Sequence, residues 1–151
     1  MYAELHCHSY YSFHDGASSL EELMVRSKEL GYHGLAITDH DNLCGAMRFA
    51  QLAKSLEMRT ITGAEITLEG GYHLTLIAKN REGYKNLCRL LTTAHNTGER
   101  NDPQLPPSSI PEHAAGLIAL SGCPKGELSL MAALTRPGEL MAVHRKMERR
   151  K

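Results

Sequence analysis

Apolar residues recur along this chain in two periods, and the switches between them lay out the elements. Strand-type runs are Gly34-Leu35-Ala36-Ile37-Thr38-Asp39-His40, Thr60-Ile61-Thr62-Gly63-Ala64-Glu65 and Leu117-Ile118-Ala119-Leu120-Ser121-Gly122-Cys123, with a first one closing on Glu4-Leu5-His6-Cys7-His8-Ser9. Between them the spacing turns helical. Leu20, Leu23, Met24, Ser27 and Leu30 share one face behind the capping box Ser19-Leu20-Glu21-Glu22, and Gly31 stops that helix. A second helix is predicted over 44–56, with Met47, Ala50 and Ala53 inward and Cys44 buried. Tyr84, Leu87, Cys88 and Leu91 mark a third, ending before Gly98. Gly70-Gly71 suits the positive dihedrals of a tight hairpin, so residues 66–68 and 73–78 are its arms and His73 starts a strand. Residues 101–109 read as a turn-rich surface loop, and residues 127–134 and 139 onward as helical around the break Arg136-Pro137-Gly138.

Strands alternating with helices predict a parallel sheet or barrel, and barrels of this kind gather their chemistry at the carboxyl ends of the strands. Each of the four strand-type runs named first ends in a residue able to bind a metal. His6 and His8 lie on one face, their Cα atoms about 6.5 to 7 Å apart, so both imidazoles can converge on one ion or on two neighbours. His40, Glu65 and Cys123 end later strands, and His73 begins one. Taken singly these are ordinary residues; at the same ends of successive strands they read as one site.

The bulk composition bounds what surrounds that site. With 42% hydrophobic and 23% charged residues, the 151-residue chain has material for a packed core. Lys plus Arg equals Asp plus Glu at 17 each, so no global positive field marks a nucleic-acid binder, although residues 144–151 are locally basic. Four separated cysteines without a Cys-x-x-Cys pair fit free thiols in a reducing compartment. No export signal or membrane span is read, so the expected location is the cytoplasm. A closed α/β barrel usually takes about 200 residues or more, so an incomplete one is expected.

His-x-His, Thr-Asp-His, Gly-x-Glu, a strand-starting His and Ser-Gly-Cys, in this order, resemble the polymerase and histidinol phosphatase (PHP) family of metal-dependent phosphoesterases. The resemblance implies an α/β fold, a distorted (β/α)7 barrel of PHP type, incomplete at the C-terminus, over residues 1–134, with a basic helical tail over 135–151. Within the family, residues 4–18, His73 to Asn80 and Leu120 to Glu127 are most similar to the N-terminal domain of bacterial C-family DNA polymerase alpha subunits, on the error-prone, translesion branch. It implies His6, His8, Asp15, His40, Glu65, His73 and Cys123 as metal ligands. His40 and Asp39 are implied as catalytic residues, Asp39 orienting its neighbour in the way carboxylates orient metal histidines. His14 competes with Asp15, because polymerase-type members use an Asp seven residues after the second His and stand-alone members a His six residues after it. The Asp15-Gly16 context favours Asp15.

Imidazoles, carboxylates and one thiolate suit zinc, or zinc with manganese. The implied reaction is phosphoester hydrolysis, of the kind a 3′–5′ exonuclease performs, and the implied partners are DNA and the rest of a polymerase, with no membrane. The alternatives are a stand-alone phosphatase of the histidinol phosphatase type and a zinc-stabilised scaffold that binds metal without turnover. One departure matters. The family completes its site with a late Asp-x-His, whereas beyond Cys123 this sequence has no Asp and only His144. The expectation is a metal-containing fragment of little hydrolytic activity.

Overall fold

The β-strands assemble in chain order, which follows from short connections and from helices long enough to carry the chain back across the sheet. The computed structural model describes residues 1–99, 101–121 and 124–126. The proposed ligand Cys123, the helix expected over 127–134 and the basic tail over 135–151 lie outside them. Strand β1 (Ala3–Glu4) pairs parallel with β2 (Gly34–His40), which pairs parallel with β3 (Thr60–Thr67). Strand β4 (His73–Ala78) returns antiparallel to β3, and β5 (Leu117–Leu120) is antiparallel to β4. The result is a mixed α/β fold whose curled five-stranded sheet forms an open half-barrel, in keeping with an incomplete barrel.

Helix α1 (Leu20–Glu29) starts where the capping box predicts. The Ser19 hydroxyl accepts from the Glu22 N–H at 3.2 Å, and the Glu22 carboxylate accepts from the Ser19 N–H at 2.8 Å. Its inward residues Leu20 and Met24 pack with Leu35, Ile37 and Phe49. Helix α3 (Arg81–Thr97) buries Leu87, Leu90, Leu91 and Ala94 against Ala64, Ile66 and Leu76 of the sheet. Each such leucine removed from water contributes about 1.5 to 3 kcal/mol. These contacts cover one face of the sheet. Since strand residues alternate, Thr38, His40, Glu65, His73 and Thr75 take the other face.

Helix α2 (Ala46–Leu56) corrects the predicted inner stripe by one residue. Ala46, Phe49 and Ala53 are buried, whereas Met47 is 71% exposed and Ala50 is also exposed. Cys44, expected inside, is exposed in the turn before the helix, where its N–H donates to Asn42 Oδ1 at 3.0 Å. The hairpin stands as predicted: Gly70 and Gly71 both have positive φ, which glycine adopts without steric cost. Strand β3 runs through its predicted end at Glu65 into the predicted hairpin arm without a break, since Ile66 and Thr67 pair with Leu74 and His73, and the Asp41 carboxylate accepts from the Thr67 N–H at 2.8 Å and hydroxyl at 2.7 Å.

Candidate metal centre

Register places the first two candidate ligands side by side. His40 and Glu65 are direct partners across β2 and β3, and the hairpin sets Thr67 opposite His73, so His73 reaches Glu65 from the antiparallel side. Glu65, 1% exposed, is the hub. Its Oε1 contacts His73 Nδ1 closely and lies 3.4 Å from His40 Nε2, while Oε2 contacts His6 Nε2 closely and lies 3.6 Å from His8 Nε2. His6 and His8 meet through their Nε2 atoms at 3.2 Å, as two alternate residues just beyond β1 can. Asp15 closes the group from the far side, its Oδ2 3.0 Å from His40 Nε2.

These six residues form three interlocking donor sets: His6, His8 and Glu65; His8, Asp15 and His40; His40, Glu65 and His73. Within each set the candidate donor atoms lie within 4.8 Å of one another. Each set shares a member with each of the others, a geometry suited to neighbouring divalent ions. Burial by itself raises the Glu65 carboxyl pKa, but hydrogen bonds with His8 and His73 and the nearby His40 and His6 outweigh it and hold it well below the usual carboxylate range. Burial lowers the His40 pKa, with His8 and His73 adding to the effect and Glu65 and Asp15 opposing it. A buried, deprotonated carboxylate with four imidazoles around it is a ligand set suited to a cation. Cys7, between the two histidines, is no part of it: it packs against the α1–α2 core, and burial pushes its thiol up to about 11.

Asp39 takes the opposite face of β2 from His40. Its buried carboxylate accepts from the Ser9 N–H at 2.6 Å, the Ser9 hydroxyl at 2.8 Å and the Ser12 hydroxyl at 2.7 Å. Ser12 Oγ in turn accepts the His40 N–H at 3.0 Å. Asp39 therefore reaches His40 through Ser12 and grips the whole segment between His8 and Asp15. Ser9, Ser12 and Asp41 are the structural residues that reasoning from ligand types overlooked; two serines three apart before an Asp-Gly step was the turn signal available for them.

A scan of family models finds the PHP domain over residues 4–149. This chain belongs to the PHP domain family. It is 42% identical to the error-prone DNA polymerase of Symbiobacterium thermophilum over 96% of the chain and 15% of the relative. With the Mycobacterium bovis and Pseudomonas aeruginosa proteins of the same name, identity is 45% and 44%, over 84% and 79% of the chain and 13% and 12% of the relatives. The PHP domain thus spans about one-eighth to one-seventh of these curated relatives, and the match lies in their N-terminal part. Among solved structures it resembles a protein from Bifidobacterium adolescentis assigned as a metal-dependent phosphoesterase, with TM-score 0.52 and 23% identity over 62% of this chain and 33% of that one. It also resembles an amidohydrolase from Chromobacterium violaceum solved with bound sulfate and no metal, with TM-score 0.53 and 25% identity over 64% and 34%.

The turn that delivers Asp15 separates it from His14. Asp15 and Gly16 both donate their N–H groups to Ser12 O, at 3.1 and 2.9 Å, and His14 sits exposed at the corner with φ of 70°. His14 enters none of the donor sets found among the described residues. In the PHP domain, Asp15→Asn is expected to weaken metal binding by about 10-fold or more, the scale reached when even a ligand's supporting partner is lost. His14→Leu should change it less, and titration with a metal-sensitive dye checks the order. Gly16 is equally constrained: a Cβ there would lie 1.9 Å from the Ser9 carbonyl oxygen. Gly16→Ala must therefore push the turn off Ser9, and thermal denaturation should show a loss of about 2 kcal/mol or more, beyond the usual glycine-to-alanine effect.

Proposed function

We propose that this PHP domain is the metal-binding N-terminal part of an error-prone DNA polymerase, holding divalent ions for hydrolysis of phosphodiester bonds. The observation that carries the reading is the buried Glu65 carboxylate ringed by four imidazoles, with Asp15 beyond His40. That donor set fits a divalent cation, because imidazole nitrogens and carboxylate oxygens gathered within 4.8 Å of one another are the donors such an ion takes. His6, His8, Asp15, His40, Glu65 and His73 would hold the ions, with Cys123 as a seventh ligand. Nitrogen donors with carboxylates favour zinc, and a thiolate favours it further; manganese is the second choice. Divalent ions held there would supply polarisation of a phosphoryl oxygen and activation of water near neutral pH.

The protein's own part in that chemistry is positional. His40 lies between Asp15 and Glu65 and can serve a donor set with each, which assigns it to the middle of the reacting region. Asp39 acts through Ser9 and Ser12, keeping Asp15 and His8 at fixed separation. DNA and the remainder of a polymerase chain are the proposed partners, and the cytoplasm the proposed location. Among the described residues no helix is long and apolar enough to cross a membrane.

Elemental analysis of the purified chain tests the reading directly. At least one equivalent of zinc or manganese per folded chain is expected, removable by a chelator. A folded chain with near-zero metal after incubation with both ions would refute it. Chelator-sensitive release of a 3′-terminal nucleotide, lost in His40→Ala, distinguishes an enzyme from a scaffold that only binds metal.

A further inference from the structure

The last register pair of β2 and β3 is His40 opposite Glu65, yet the bonding between the two strands continues beyond it. In a parallel ladder a residue donates its N–H to one carbonyl across the gap and accepts, through its own carbonyl, from the N–H two residues further along. Leu35 opens that series by donating to the Arg59 carbonyl at 3.1 Å, and Asp41 extends it by donating to the Glu65 carbonyl at 2.8 Å. The next bond would run from the Thr67 N–H to the Asp41 carbonyl. Here the Asp41 side chain takes it, Oδ1 accepting the Thr67 N–H at 2.8 Å and Oδ2 the Thr67 hydroxyl at 2.7 Å. The Asp41 backbone has turned into the left-handed region, with φ of 51°, and its released carbonyl accepts from His95 Nε2 of α3 at 2.7 Å. Aspartate is among the few residues other than glycine that visit that region readily.

These bonds reach every strand of one donor set. His40, Glu65 and His73 come from β2, β3 and β4, one each. Asp41 follows His40 directly, holds the Glu65 carbonyl, and holds Thr67, the register partner of His73. We propose that Asp41 is the positioning residue of this donor set, a clasp that fixes the separation of His40, Glu65 and His73, with His95 securing it to α3. This role rests on the metal-centre reading and deepens it. Hydrogen bonds to a carboxylate are stronger than the neutral bonds of the ladder they extend, and two of them on one threonine fix direction as well as distance. The task is separate from that of Asp39, whose hydrogen bonds go to Ser9 and Ser12 in the segment between His8 and Asp15. Two carboxylates at one strand end therefore divide the frame between them, Asp39 holding the incoming segment and Asp41 holding the sheet.

Imidazole nitrogen NMR spectra of isotope-labelled protein, recorded through a zinc titration, provide the test, because they read each histidine separately. Wild type, Asp41→Gly, Asp41→Asn and Thr67→Val are compared, with ring-proton Overhauser contacts measured before zinc is added. Glycine adopts the left-handed backbone freely and removes only the carboxylate, whereas asparagine keeps an acceptor in the same conformation. Asp41→Gly should weaken zinc binding read at His40 and His73 by about 10-fold or more, the scale of losing a ligand's support. It should also weaken the contact between the His40 and His73 rings, whose centroids lie 4.7 Å apart, and leave that between His6 and His8. Asp41→Asn should recover most of both. Zinc binding within about 2-fold of wild type in folded Asp41→Gly overturns the clasp. So does a loss at His6 as large as that at His40 and His73, which would make Asp41 a general support of the fold. If Asp41→Gly does not fold, Thr67→Val decides: losing the hydroxyl bond alone should cost about 5-fold at His40 and His73, and no loss there overturns the clasp. If no wild-type imidazole responds to zinc, the metal reading falls and the ring contact decides alone. Its loss in Asp41→Gly then supports the clasp, and its persistence overturns it.

Discussion

Replacing Asp39 with alanine is expected to destabilise the chain by about 3 to 5 kcal/mol and to take most metal affinity with it. The carboxylate is 1% exposed and accepts three hydrogen bonds, two from Ser9 and one from Ser12. Alanine leaves those donors buried without an acceptor, each at a cost of about 1 to 3 kcal/mol, and opens a small void beside Phe49. The comparison that decides the residue's role is Asp39→Asn. An amide keeps the volume and one acceptor oxygen, so Asn should recover part of the stability, and metal affinity should recover with it because both follow from the segment between His8 and Asp15. Urea denaturation alongside metal titration makes the check. If Asp39→Ala folds with wild-type stability and metal content but turns over no substrate, the residue acts in the chemistry and not through the loop.

The second large effect concerns the pair that opens the site. His6→Ala with His8→Ala removes two of the three donors in one set and one of three in another. With about 10-fold or more per lost ligand, affinity should fall by at least about 100-fold, and elemental analysis after desalting should find the double variant nearly metal-free. Stability without metal should change far less, since both rings are partly exposed and pack no core cluster. Retention of wild-type metal content would show that Glu65, His40, His73 and Asp15 suffice, and that the histidine pair serves another purpose.

Much of this architecture was legible before any coordinates. Ser19-Leu20-Glu21-Glu22 announced α1, and Gly70-Gly71 announced the hairpin, because capping and positive-φ turns are local physics. That the candidate ligands would cluster was legible for a different reason. His6 and His8 follow β1, His40 ends β2, His73 begins β4 and Glu65 lies two residues before the end of β3, so all five fall near one rim of the sheet, where strand ends converge whatever the details of packing. Helix α2 shows where local reading stops. Residues 46, 47, 49, 50, 52, 53 and 56 are all apolar, so periodicity could not choose a face; contact with Leu20 and Leu35 chose Phe49 over Met47. Ser9, Ser12 and Asp41 escaped because their importance lies in what they touch. Asp39 is 30 residues from Ser9 in sequence, and no pattern within one segment pairs them.

The tethering of the histidine pair has a consequence for exchange kinetics. His8 lies between two long-range anchors: Cys7, whose carbonyl accepts the Thr38 N–H at 2.9 Å, and Ser9, held twice by Asp39. His6 has no such anchor among the described backbone bonds; its N–H goes to Glu4, two residues away, at the end of a two-residue strand. A two-residue strand with few ladder bonds opens at a small fraction of the free energy of global unfolding. Fraying of β1 is therefore expected to withdraw His6 while His8 stays in place, giving the proposed centre one detachable ligand. An ion can then enter or leave at the rate at which a strand end frays, far faster than the domain unfolds, and amide exchange at Leu5 and His6 sets the timescale against which metal exchange is to be compared.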